Sequence, residues 1–318
     1  MIITVTLNPA IDQTIEIDGL HVGDTNRVLA NRWDIGGKGI NVARALKELG
    51  YEPLAAGFAP GAMGRMIEDQ LFDSGIGCEF VSVPGETRTN ITILDRGNHR
   101  HTALAAPGPS VTPEASHALS TQLARRLRPG SWLVLAGSVP PPGEPTLYAE
   151  LVGLAARHEC YTAVDADGSV VQRLLELGAR PTLLKINEQE LERLMGAPMR
   201  SEEAVWAAAE WLRGRGLRDV VVTRGAAGAV AVTAEGRFRA TPPPVEVVSA
   251  LGAGDGFLAG LLLGLVRTSD WGYALRLAGA CGAAVCCAIG PGCRAVEVHA
   301  LLVGARVEPL GEPVAVLS

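Results

Sequence analysis

Two glycine-rich runs each lead into an apolar pattern with helical spacing. The first is Gly36-Gly37-Lys38-Gly39-Ile40-Asn41-Val42-Ala43. The second is Gly252-Ala253-Gly254-Asp255-Gly256, followed by Phe257, Leu258, Leu261, Leu262 and Leu265. A helix N-terminus presents unpaired N–H groups and the positive end of the helix dipole, which together suit an anion. Glycine lets that backbone close on a phosphate, since no Cβ intrudes. Asp255 is out of place in a plain phosphate cradle, because a carboxylate repels the anion it faces. It fits a base that takes the proton from a hydroxyl attacking the phosphate. As an isolated residue it equally fits an N-cap. The Lys38 run is not a P-loop, since no Ser or Thr follows the lysine and the upstream glycine is missing; the Gly252 run misses the dinucleotide spacing, since position 257 is Phe.

Other residues carry weaker signals. Arg88, in Thr87-Arg88-Thr89-Asn90, could grip a phosphate with two parallel N–H donors, or be a surface charge. Asp12, in Asn8-Pro9-Ala10-Ile11-Asp12, could accept hydrogen bonds from sugar hydroxyls, or shape a turn. Asn187 and Glu190 open a helix directly after a strand; they suit water around Mg²⁺, or a helix start favoured by the dipole. Thr223-Arg224-Gly225-Ala226-Ala227-Gly228 is a small-residue turn between strands that could border a nucleotide. His99 and His101 lack a third ligand and read as surface residues, and no Ser-His-Asp arrangement is recognisable.

These residues need a frame. Strand patterns at 2–7, 54–58, 131–136, 161–164, 182–186 and 219–223 alternate with helical patterns at 41–49, 63–74, 113–126, 148–157, 169–177, 188–195 and 201–213. Such alternation predicts an α/β fold with a mostly parallel sheet between helical layers. Ligands of such sheets sit beyond the carboxyl ends of the strands, where Asp165, Asn187, Thr223 and the Asp255 turn fall. Two stretches, about 10–35 and 87–105, hold short β-like runs without helices. They predict a small antiparallel sheet placed as a lid that keeps water out. The proline runs at 140–142 and 242–244 read as rigid loops.

The 318 residues are 47% hydrophobic but only 4% aromatic, so Ala, Val, Leu and Gly must fill the core. A net charge of −6 and a pI near 5.6 argue against nucleic-acid and acidic-membrane partners, so an anionic substrate needs a local basic cluster. No signal peptide or membrane-spanning stretch is visible. Six cysteines without a C-x-x-C pair read as reduced thiols, and the expected location is the cytoplasm.

Taken together and in this order, from Ile3 to about His299, these elements resemble the PfkB sugar-kinase family with its ribokinase-like fold. The Gly36 run looks like its N-terminal signature and Gly252-Ala253-Gly254-Asp255 its C-terminal one. Asn8-Pro9-Ala10-Ile11-Asp12, Glu86-Thr87-Arg88-Thr89-Asn90, Ala106-Pro107-Gly108-Pro109 and Gly137-Ser138-Val139-Pro140 resemble the branch acting on phosphorylated ketohexoses. The resemblance implies one kinase domain over 1–318, with a three-layer α/β/α core and a β-sheet lid. It implies ATP-dependent phosphorylation of fructose 1-phosphate to fructose 1,6-bisphosphate, with tagatose-6-phosphate or fructose-6-phosphate kinase as alternatives. A catalytically silent sugar-phosphate sensor is the reading from another class. By resemblance Asp255 is the base, and the amides of Gly252, Ala253 and Gly254 form the anion hole. Asp12, Gly37, Lys38, Asn41, Arg88 and Asn90 hold the substrate. Thr223, Gly225, Gly228, Gly254, Ala280, Gly282 and Ala283 border ATP. Asn187 and Glu190 meet Mg²⁺ through water, and a homodimer pairs through the lids. Thr92 stands where this branch often has Lys, and Arg224 where the family has Leu.

Overall fold

The structure, a computed structural model, describes residues 1–98, 100–141, 146–288 and 292–311. His99 and Pro142 lie outside the described residues.

The chain runs β1 (Ile2–Thr6), β2 (Ala10–Ile17), β3 (Ala30–Gly36), α1 (Lys38–Glu48), β4 (Leu54–Pro60), α2 (Gly61–Asp73), β5 (Gly77–Val83), β6 (Arg88–Asp95) and β7 (Arg100–Leu104). It continues through α3 (Pro113–Arg126), β8 (Trp132–Ala136), α4 (Thr146–Arg157), β9 (Tyr161–Asp165), α5 (Gly168–Glu176), β10 (Leu183–Asn187), α6 (Glu188–Met195) and α7 (Glu202–Gly214). It closes with β11 (Asp219–Thr223), β12 (Ala229–Val232), β13 (Arg237–Thr241), α8 (Ala253–Thr268), α9 (Trp271–Cys286), α10 (Ala295–Leu302) and β14 (Arg306–Pro309).

The main sheet has ten strands in the order β14-β13-β12-β11-β10-β9-β8-β1-β4-β5. From β11 to β5 every pair is parallel; β12, β13 and β14 add an antiparallel edge. Parallel strands covered on both faces read as continuous apolar runs, as Trp132–Ala136 does, buried at every position. One face packs on Leu119, Leu123, Leu151, Leu174, Leu191 and Leu212 from α3 to α7. The other packs on Val42 and Leu46 of α1 and a dense apolar set from α8 and α9. Strand β5, on one edge, was not among the sequence-predicted elements.

Helix ends follow local chemistry. Thr112 caps α3 through Ala115 N–H with Pro113 in the first turn, and Ser201 and Asp270 cap α7 and α9. Gly264 in α8 is required by close approach, since a Cβ there would lie 2.8 Å from Ala274 Cβ on α9.

The lid is a four-stranded sheet, β3-β2-β6-β7. It differs from the expected antiparallel arrangement: β2 pairs with β6 in parallel, while β3 and β7 flank them antiparallel. The reason lies in the parents. β2 leaves the carboxyl end of β1 and β6 that of β5, and those strands run parallel in the main sheet.

Candidate active site

Four strand ends and two helix starts converge. Strand β9 ends on Asp165, β10 carries Lys185 and Asn187, and α1 and α8 begin at Lys38 and Ala253. Along β10, Leu184 and Ile186 enter the α3–α7 side of the core, so Lys185 faces the opposite side with Leu183. Its Nζ donates to Asp165 Oδ2 at 2.8 Å, with both side chains buried. Lys38 donates to Asp165 Oδ1 at 2.8 Å and to Glu190 Oε1 at 3.2 Å. One buried carboxylate therefore holds two ammonium groups from different elements.

Burial alone would raise the Asp165 carboxyl, but Lys185 and Lys38 outweigh it and hold it below the usual range. Burial alone would lower Lys38; Asp165, Glu190 and Asp255 outweigh that and push it up. Lys38 therefore stays charged, and its charge is already matched by neighbouring acids.

Asp255 sits in the first turn of α8, three residues past the left-handed Gly252 at φ 81°. Its Oδ2 accepts from Asn41 Nδ2 at 2.8 Å, a bond from the α1 turn to the α8 turn. Its carboxyl is pushed up to about 6, chiefly by burial and then by the charge of Asp165, against the lowering pull of Lys38, Asn41 and Lys185. A base near neutrality is tuned for proton transfer. Asn41 Oδ1 is buried and has no partner among the described residues, so a polar acceptor waits beside the base.

Of the three amides expected in the anion hole, Ala253 N–H turns back to Ala250 O at 3.2 Å. The amides of Gly252 and Gly254 have no such backbone partner among the described residues. A Cβ on Gly254 would stand 2.8 Å from Lys185 Nζ, so the lysine lies directly over the turn. Lys185 was absent from the sequence-predicted site. The signal available was a lysine inside an otherwise apolar strand, two residues before Asn187 and hence on the same strand face.

The sugar-side residues gather at the lid hinge. Asn90 Nδ2 donates to Asp12 Oδ1 at 2.9 Å, and Asn90 Oδ1 accepts from Ala106 N–H at 3.2 Å. A Cβ on Gly36 would collide with Asp12 Oδ2, which sets that carboxylate against the glycine turn. Burial raises the Asp12 carboxyl, with Asn90 and Arg88 opposing and Asp34 adding to it. Arg88 is not poised for two-armed phosphate binding: Nη1 donates to Ala106 O at 3.0 Å and Nη2 to Asn8 O at 3.1 Å, stapling the hinge. Its buried Nε has no partner among the described residues.

The ATP-side residues divide. Thr223 ends β11 beside Asn187, and Gly225, at φ 55°, has open space around its missing Cβ. Gly228 is required by the backbone, since a Cβ there would collide with Ala240 O. Ala280 is fully buried in the core, so its side chain meets helices rather than ligand, and Ala283 is 6% exposed. At Gly282 a Cβ would lie 3.3 Å from Ala253 O, so this glycine lets α9 approach the α8 turn. Arg224 is tied to Glu202 at 2.8 Å and lies 3.6 Å from Glu188, and so packs toward α6 and α7.

Asn187 and Glu190 form a reciprocal capping box: Glu190 N–H donates to Asn187 Oδ1 at 2.8 Å and Asn187 N–H to Glu190 Oε2 at 3.0 Å. With Lys38 on Oε1, both Glu190 oxygens are engaged. Each carboxylate oxygen accepts more than one hydrogen bond, so a water of a hydrated cation still fits. Among the described residues no group of three or more His, Cys, Asp or Glu forms a direct metal cage.

A doubly covered parallel sheet, a hinged β-lid and a buried carboxylate at a glycine turn define a phosphotransferase with an alcohol acceptor, on a ribokinase-like fold. Residues 5–295 match the model of the pfkB family carbohydrate kinases, and the chain belongs to that family. It is 35% identical over 291 residues to a 1-phosphofructokinase of Rhodobacter capsulatus, covering 91% of this chain and 92% of the relative. It is 31% identical over 283 residues to a tagatose-6-phosphate kinase of Staphylococcus epidermidis, covering 89% and 91%. The fold is similar to phosphofructokinase-2 from Escherichia coli in complex with substrates and products, with TM-score 0.88, 27% identity and 95% and 98% coverage. A possible 1-phosphofructokinase from Thermotoga maritima gives TM-score 0.86 at 27% identity, with 98% and 100% coverage.

Proposed function

We propose that this chain transfers the γ-phosphoryl group of ATP to a ketohexose phosphate, with fructose 1-phosphate as the acceptor and fructose 1,6-bisphosphate as the product. The observation that carries the reading is Asp255, a buried carboxyl raised to about 6 at the mouth of a helix whose amides at Gly252 and Gly254 face the same space. Asp255 takes the proton of the attacking hydroxyl. The Gly252 and Gly254 amides and Lys185 receive the charge of the transferring phosphoryl group. Asp12 and Asn90 hold sugar hydroxyls at the hinge, and Asn41 orients the base. Asn187 and Glu190 hold water around Mg²⁺, which when bound offsets the negative charge of the ATP phosphates.

The similarity to a tagatose-6-phosphate kinase favours tagatose 6-phosphate as a second acceptor, and fructose 6-phosphate as a third. Free thiols throughout suit a cytoplasmic site of action. Exposed Trp33 and Leu104 on the lid suit pairing of two lids in a homodimer, which light scattering on the purified protein tests.

The deciding experiment is ADP release with Mg²⁺-ATP on fructose 1-phosphate, fructose 6-phosphate, tagatose 6-phosphate and free fructose. Preference for fructose 1-phosphate supports the reading. Binding of sugar phosphate without ADP release from any of the four points to the sensor instead.

A further inference from the structure

The lid face that carries Asp12 is ordered in cross-strand rows. Asp34 of β3, Asp12 of β2 and Asn90 of β6 stand in one row; Arg32, Thr14, Thr92 and Ala103 of β7 stand in the next. The Asn90–Asp12 bond fixes the first row to the sugar side. Arg32 Nε donates to Asp34 Oδ2 at 2.7 Å, which fixes the second row to the same side.

Charge around this face is unevenly distributed. Asp12 and Asp34 lie close enough for one to raise the other's carboxyl. Of the two cations expected to meet the sugar's phosphate, Lys38 is matched by Asp165 and Glu190, and the arms of Arg88 are on two backbone carbonyls. A phosphate entering beside two carboxylates needs further positive charge. Arg32 stands there, with 43% of its side chain exposed and a partner 27% exposed. An exposed pair of this kind holds its geometry weakly and exchanges readily. The bond to Asp34 uses Nε–H, and a guanidinium has Nη donors besides, in the fork that matches a phosphate.

We propose that Arg32 is a specificity-determining residue that binds the phosphate already carried by the sugar, with Asp34 as the positioning partner that aims it. The inference rests on the sugar-phosphate reading above. It assigns the preference for a phosphorylated sugar to the second lid row rather than to Lys38. Position 92 shares that row, two strands away, so a lysine placed there offers its ammonium to the same face.

The test compares wild type, Arg32→Ala, Arg32→Lys and the double variant Arg32→Ala/Thr92→Lys. Kd for fructose 1-phosphate, fructose 6-phosphate and tagatose 6-phosphate is measured by calorimetry, and KM and kcat by ADP release. Arg32→Ala is expected to raise Kd and KM for the preferred sugar phosphate roughly 10- to 100-fold, leaving KM for ATP and kcat near wild type. Arg32→Lys and the double variant are expected to recover much of that loss, which a merely structural arginine would not allow. Unchanged sugar-phosphate binding in Arg32→Ala overturns the proposal, as does a fall in kcat without a change in KM. A wild type that binds sugar phosphate but releases no ADP overturns the kinase reading alone, and the Kd series still decides Arg32.

Discussion

The α1 and α8 starts share a composition and differ in use. Both are glycine-rich and both point at the same space. At α1 the glycines serve packing: a Cβ on Gly39 would lie 2.7 Å from Val5 O, and one on Gly37 would lie 2.7 Å from Thr6 Cγ2. At α8 the missing side chain at Gly254 faces a lysine ammonium, and two amides are left for a ligand. The α1 turn is a close-packed hinge between core and lid, while the α8 turn is an open anion site. A glycine-rich helix start therefore announces close backbone approach; only the surroundings say whether the approaching group is protein or phosphate.

Mutations can break or sharpen this contrast. Asp255→Asn has the largest expected effect, a fall in kcat of roughly 100- to 10,000-fold with sugar-phosphate binding retained. Near-wild-type turnover in this variant would mean that another group takes the proton. Gly254→Ala should follow, with a loss in kcat of roughly 100- to 1,000-fold as the Cβ displaces Lys185 and the amide is withdrawn from the phosphoryl group. Gly39→Ala should act on the fold instead, destabilising it by roughly 1–3 kcal/mol in urea titration while kcat of the folded fraction holds. The contrast fails if Gly39→Ala abolishes turnover at unchanged stability.

The smallest effect is one of pH. Asp255 must be ionised to act, so kcat/KM should fall as pH drops through about 6. The same carboxyl keeps its proton to higher pH in the folded protein than in the unfolded chain. It therefore favours the fold below its ordinary value of 3.8, and that contribution is lost as pH rises through about 6. Asp255→Asn should then raise Tm at pH 7, with a gain that shrinks toward pH 4. An equal gain at both pH values would contradict the raised carboxyl.

Much of this was legible in the residues. Alternating apolar runs fixed the parallel core, because a strand buried on both faces has no room for polar positions. The run through Asp255 marked its helix start correctly, because glycines followed by a helical apolar stripe leave few other conformations. The lid strands were visible as β-like runs without helices, but their parallel pairing was not. That pairing depends on where β1 and β5 lie in the main sheet, and nothing in the lid sequence encodes it. Lys185 was overlooked because a charged residue in an apolar strand reads as an interruption. Its partner Asp165 lies on another strand, and local spacing carries no trace of the pair. The capping box at Asn187 and Glu190 shows the converse: a local pattern realised as local structure, with Glu190 also reaching Lys38 across the site.

The pairing of β2 with β6 also sets an order of assembly. Ala10 must find Arg88, and between them lie β3, α1, β4, α2 and β5. Closing so long a loop is slow, and its entropy is recovered only after the intervening units have folded. The lid therefore forms late, on a finished N-terminal half. Asp12 and Asn90, which meet only across that pair, come together among the last contacts of the molecule. A nascent or partly unfolded chain can hold the glycine turn of α8 without holding a sugar.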